Sequence, residues 1–158
     1  DTIHSPMQAA TREVYSGANH LDSIAVSTQG RVALASSSLT HDLWDGCVVL
    51  LAADETLAVT LPLKAGVTDV EWLGAEILVA GDDLGNLSAW QLPAAGALEA
   101  SEPMLQLGEH ADAVMAVAGE AGGTLRVASA SADGTARVWT AVQGSSAAHV
   151  LQHTSNVA

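Results

Sequence analysis

Along the best-marked stretch of the chain, residues 126–139, apolar and polar positions alternate with a period of two. Val127, Ser129 and Ser131 fall on one side, Ala128 and Ala130 on the other. This is the pattern of a short strand with two unlike faces. Ala132, Asp133, Gly134 and Thr135 then interrupt it. Glycine tolerates positive φ and aspartate bonds the local backbone, so a tight turn is expected there. Extended over the surrounding residues, the pattern predicts four strands, near 113–118, 124–131, 135–140 and 147–152. A helix competes over 96–120, which is rich in Ala, Leu and Glu, but Pro103, Gly108, Gly119, Gly122 and Gly123 break it. Residues 92–103 read as a surface insertion between strands.

The same pattern recurs. Residues 77–90 and 126–139 align so that Gly85 meets Gly134 and Trp90 meets Trp139, both at a separation of 49 residues. A weaker copy begins at Arg31. A second element, His-x-x-x-Val, occurs at His110–Val114 and His153–Val157, 43 residues apart, and Gly66–Val70 holds its place one unit earlier without the histidine. Periods in the forties suit a unit of four short strands that stacks on its neighbours to form a continuous core. The chain therefore divides into an irregular lead-in over 1–19 and units at 20–64, 65–107 and 108–153, followed by the start of another. The sequence opens on Asp1 and stops at Ala158, just after such a start, and it reads as a fragment. Closed rings of such units have 4–8 members, so about three make an open arc.

Composition changes this picture little. The apolar mass is Ala, Val and Leu, with no Phe, which suits thin sheets. The formal charge of −13 repels phosphate, so direct nucleic-acid binding is not expected, whereas a basic partner is attracted. A single cysteine, Cys47, excludes an internal disulfide and fits a reducing compartment. No signal peptide is read at the start and no apolar run is long enough to span a bilayer. A soluble protein of the cytoplasm and nucleus is expected.

With Gly108 and His110 ahead of it, the stretch Ser129–Trp139 resembles a WD40 repeat. The resemblance implies an all-β fold, a WD40-type β-propeller fragment of about three four-stranded blades out of seven. It also implies a buried hydrogen-bond set of four residues, matched here by His110, Ser129, Asp133 and Trp139. Such a set is physically reasonable, because buried polar groups must be paired and the pairing selects one blade geometry. The middle unit departs from the pattern, with Leu84 at the turn position and no histidine before Gly66, and the first unit lacks the Trp as well. Both are expected to fold as blades held by packing alone.

A narrower resemblance covers residues 30–140. Segments 36–46, 64–74, 77–85 and 90–92 are similar in order and spacing to the family of methylosome WD-repeat subunits. That family pairs with the protein arginine methyltransferase that makes symmetric dimethylarginine and helps present basic substrates, histone tails and Sm proteins. It inserts a loop Trp into the methyltransferase, and the matching residue is Trp44. His41, Asp42 and Asp45 surround Trp44, placing it in a polar loop rather than an alternating strand. An aromatic residue in a polar ring is the usual make-up of an interface hot spot. Its alternative is to fold back and cap its own blade.

Enzymatic readings find little support. His149 and His153 lie four apart, a spacing that brings ligands together only on a helix, and no third ligand follows. Cys47 has no adjacent His or Lys to activate it, and neither a G-x-S-x-G elbow nor a phosphate-cradling glycine loop is present. No cofactor and no metal are expected. Three functions remain open: a methylosome adaptor, a generic WD40 scaffold of another chromatin, ubiquitin-ligase or signalling assembly, and an enzyme with an undetected site.

Overall fold

The computed structural model describes residues 6–17, 19–40, 42–94, 98–99, 101–142 and 145–147. Their regular structure is entirely β, in three antiparallel sheets of four strands each. The first sheet is β1 (His20–Val26), β2 (Val32–Thr40), β3 (Leu43–Leu51) and β4 (Leu57–Leu63). The second is β5 (Val67–Leu73), β6 (Ile77–Asp82), β7 (Asn86–Gln91) and β8 (Leu105–Gly108). The third is β9 (Val114–Ala121), β10 (Leu125–Ser131), β11 (Ala136–Val142) and β12 (Ser145–Ala147). Each sheet is a meander in which neighbours in sequence are neighbours in space. The last strand is found at 145–147 rather than 147–152; residues 148–152 lie outside the described set. The stretch over which a helix competed carries β8 and most of β9, as the strand reading expected, because its glycines deny a helix the continuous run it needs.

The sheets stack face to face as blades. β5, the first strand of the middle sheet, neighbours both β1 and β9 across the blade boundaries. Two clusters fill the boundaries. Ala33, Ala35, Val48, Leu50 and Leu61 of the first blade meet Val70, Trp72, Leu78 and Trp90 of the second. Val79, Leu87 and Ala89 of the second meet Val117, Val127 and Trp139 of the third. The middle blade is therefore covered on both faces, and β6 is buried at nearly every position. In β10 burial alternates instead: Val127 and Ser129 are buried, while Ala128 and Ala130 are exposed on the face that no further blade of the described residues covers. The outer face of the first blade, Leu34, Val49 and Leu51, is partly roofed by Tyr15 from the irregular lead-in.

Turn chemistry closes the hairpins. Gly85 and Gly134 sit at φ +90° and +83°, a region that favours glycine over residues with a Cβ. One clasp joins the first two blades from a distance in sequence. The Arg31 guanidinium is buried and donates to the carbonyls of Pro93 (2.9 Å), Leu92 (3.3 Å) and Ala75, and lies 4.7 Å over the Trp72 ring. Carbonyl dipoles and the π face there take the place of a paired carboxylate.

Candidate interaction surface and the supporting polar networks

In the third blade, β10 and β11 pair Val127 with Trp139 and Ser129 with Arg137. That register places the Trp139 indole beside the Ser129 hydroxyl, with Nε1 donating to Oγ over 3.0 Å. His110, arriving from the loop before β9, lies 2.7 Å from the same oxygen through Nε2. An indole N–H can only donate, so the Ser129 hydroxyl proton is free to go to His110 Nε2. His110 Nδ1 then carries the hydrogen and donates toward Asp133 Oδ2 at 3.1 Å and Thr135 Oγ1 at 3.0 Å. His110, Ser129, Asp133 and Trp139 thus form one buried relay, with the His110 and Trp139 rings edge to face at 6.4 Å.

Asp133 is the acceptor that ends the relay. It also receives the Ala111 N–H (2.8 Å), the Thr135 N–H (2.8 Å) and the Thr135 hydroxyl (2.6 Å). Desolvation opposes its charge. The bonds from Thr135, Ala111 and His110 outweigh that effect and hold its carboxyl well below the usual carboxylate range.

The middle blade has a polar device of its own, so the expectation that packing alone holds it is corrected. Leu84 is an exposed turn residue, and Asp82, two positions earlier, does the work. Its carboxylate accepts the N–H groups of Leu84 and Asn86, each at 2.9 Å, and the Asn86 amide at 3.1 Å. Trp90, opposite Leu78, holds the place of Trp139, but Ala80 stands where the third blade has Ser129. Among the described residues its indole nitrogen is buried without a partner. The first blade also carries a polar contact, Ser37 Oγ donating to Asp22 at 2.6 Å.

Trp44 is not in a loop. β2 and β3 pair in unbroken register from Val32↔Leu51 to Thr40↔Leu43, so Trp44 belongs to β3 and opposes Leu39. Of the polar residues near it in sequence, Asp42 lies in the turn at the hairpin tip and Asp45 within β3. Trp44 remains 43% exposed, with Leu39 and Leu43 exposed beside it. It leans across the blade boundary rather than onto its own blade. Its side chain hydrogen-bonds the Asp83 carboxyl, whose pKa is raised by desolvation against that bond. A Cβ on Gly66 would collide with the indole nitrogen. Asp42 is exposed and Asp45 half-buried nearby; His41, His149 and His153 lie outside the described residues.

Asp69 carries no signal in the repeat pattern, yet it touches all three blades. From β5 its two oxygens accept the Ser23 hydroxyl of β1 (2.5 Å) and the Val117 N–H of β9 (2.8 Å). Cys47 is half-buried, and desolvation raises its thiol pKa against a hydrogen bond with Ser36. It is thus not activated as a thiolate.

No protein-family model matches the chain, and no curated protein sequence matches it. Solved structures do. The computationally designed Ika4 protein matches with a TM-score of 0.65 at 20% identity, covering 94% of this chain and 83% of its own. Saccharomyces cerevisiae Sqt1 matches with a TM-score of 0.60 at 14% identity over 77% of this chain. The WD40 domain of Toxoplasma gondii coronin gives 0.54 at 19% over 77%, and the Dos1 propeller 0.58 at 12% over 75%. The chain spans only about a third of each of these last three. Likeness at such low identity is likeness of fold, and the fold of the described residues is three blades of a WD40-type β-propeller.

Proposed function

We propose that the protein is a non-catalytic interaction scaffold that binds its partner through the β2–β3 hairpin, with Trp44 as the anchor. The observation that carries this reading is the exposure of Trp44 together with Leu39, the residue directly opposite it across the hairpin. An aromatic side chain held from behind by Asp83 and set beside Leu39 is largely preorganised, which limits the entropy lost on docking. Asp42 and Asp45 are the polar neighbours of Trp44 on the described part of the hairpin. The three-blade propeller fold supports a protein-binding role in general terms.

The finer assignment is an adaptor of the methylosome. In it, Trp44 engages the symmetric-dimethylating protein arginine methyltransferase, and the acidic surface, formal charge −13, holds basic histone or Sm-protein tails near the active site. Residence in both cytoplasm and nucleus belongs to the same assignment. The resemblance over residues 30–140 supports it. Calorimetry with the methyltransferase tests it: Trp44→Ala should weaken binding by ~2 kcal/mol or more, and tail binding should fall steeply with salt. Unchanged affinity in a folded Trp44→Ala protein would remove the assignment. Retained binding of other partners through the hairpin would leave the generic scaffold.

A further inference from the structure

The β2–β3 hairpin overhangs the blade beside it. Aligned on the repeat, Ala35 stands where the second blade has Gly81 and the third has Ala130. Pairing stops at Gly81↔Leu87 and Ala130↔Ala136 in those blades, but in the first it continues past Ala35↔Val48 to Thr40↔Leu43, five pairs further. At ~3.4 Å per residue the hairpin therefore projects roughly 17 Å beyond its neighbours. Side chains alternate along a strand, so Leu39 and Trp44 share the face that Ala35 and Val48 bury against the second blade lower down. Above that contact they form a wall, with Leu39 63% and Trp44 43% exposed. The floor at its foot is the β6–β7 turn. Asp83 of that turn donates its N–H to the Gly66 carbonyl at 3.0 Å, and Gly66 lies against the Trp44 indole. Leu84, next in the turn, is 65% exposed. On the far side Gly85 abuts the carbonyls of His110 and Asp112. Wall and floor together make an open shelf that runs from the first blade toward the third.

We infer that this shelf seats a short basic segment of a partner protein, with one aliphatic side chain in the corner between Trp44 and Leu84 and arginine or lysine side chains on either side of it. The inference rests on the reading of Trp44 as an anchor and names the partner chemistry that the anchor serves. Charge complementarity selects that chemistry. Asp42 is exposed at the top of the wall, Asp112 is exposed beyond the floor, and Asp83 lies half-buried between them. One Asp83 oxygen is buried without a partner among the described residues. Burial, and with it the adjoining Asp82 carboxylate, pushes the Asp83 carboxyl up against its bond with Trp44. A cation brought onto the shelf would favour the charged form. Four of the chain's five Lys and Arg residues are engaged elsewhere. Arg31 is buried in its clasp, and Arg12, Arg126 and Arg137 face Glu55, Glu120 and Glu109. Lys64 is exposed two residues before Gly66. An acidic segment would be repelled here and a purely apolar one would leave the carboxylates unmatched, so a basic one is preferred.

Two synthetic peptides are the probes, Gly-Arg-Gly-Leu-Gly-Arg-Gly and the same peptide with Glu in place of both Arg. Each is titrated into the whole chain while the Leu methyls and Trp indole N–H groups are observed by NMR. The Arg peptide should shift Leu39, Leu84 and Trp44 saturably and bind more weakly as salt rises. The Glu peptide should bind at least about tenfold more weakly. Leu84→Ser and Asp112→Asn alter exposed side chains outside the hairpin, and each should weaken Arg-peptide binding by about fivefold. Absence of saturable shifts, shifts centred on other residues, or equal binding of the two peptides overturns the inference. Binding that is lost in Trp44→Ala but untouched by Leu84→Ser and Asp112→Asn would overturn the shelf and leave the anchor reading standing. Binding at wild-type strength by a folded Trp44→Ala protein would overturn the anchor reading and the inference with it.

Discussion

Ser129 holds two buried groups at once, the Trp139 N–H and the His110 Nε2. Removing its hydroxyl leaves both without a partner in a site that water does not reach, and a buried polar group without its partner costs ~1–3 kcal/mol. Ser129→Ala should therefore lower the unfolding free energy by that amount in chemical denaturation. Adding Trp139→Phe should cost less than the sum of the two single changes, because one shared bond is removed twice. Asp133 sets the pH dependence. Its folded carboxyl is held below the usual range, while in the unfolded chain it titrates near ~3.9. The stability it confers is thus complete above about pH 4 and is lost as pH falls toward the folded value. Denaturation midpoints of wild type and Asp133→Asn should differ most at neutral pH and converge in acid; a gap that stays constant between pH 6 and 3 would contradict this.

At the scale of elements, the β2–β3 hairpin is longer than its composition suggests. Cross-strand pairing of Leu39 with Trp44 and Ser38 with Asp45 continues the sheet past the point where the apolar alternation stops. Backbone hydrogen bonds do not depend on side-chain type, so a ladder once begun runs on until a turn ends it. The orientation of Trp44 depends on the next blade. A methyl group at Gly66 would meet the indole nitrogen and stand 3.0 Å from Asp83 Oδ2. Gly66→Ala should therefore displace Trp44 and weaken partner binding at the hairpin nearly as much as Trp44→Ala does, though it alters no contact residue. Binding at wild-type strength by a folded Gly66→Ala protein would show that the indole orientation is not what the partner reads.

Over the whole molecule, stability is shared between neighbouring blades, since each sheet can bury its faces only against the next. Asp69 ties all three together through Ser23 and Val117. Asp69→Ala should lower stability by ~1–3 kcal/mol and also broaden the denaturant transition as the blades begin to unfold separately, read as a smaller m-value. A variant that loses stability with an unchanged m-value would make Asp69 a local contact only. The two ends of the arc differ. The first blade's outer face is partly roofed by Tyr15, whereas Ala128 and Ala130 of the third lie open.

The sequence by itself determined the class and the number of sheets, and its WD40 resemblance pointed to one buried relay. Period-two alternation, the Gly–Trp spacing of 49 residues and the positions of His110, Ser129, Asp133 and Trp139 sit within one repeat. Contacts within a repeat follow from strand register, which a linear pattern can carry. Only the tertiary structure decided what joins the blades. The bonds of Asp69 to Ser23 and Val117 and of Arg31 to Pro93 connect residues 46, 48 and 62 positions apart. The seat of Trp44 against Gly66 and Asp83 is equally remote from any local signal. Such partners are chosen by how one sheet stacks on the next, and stacking depends on the summed shape of both faces, which no single stretch of chain encodes.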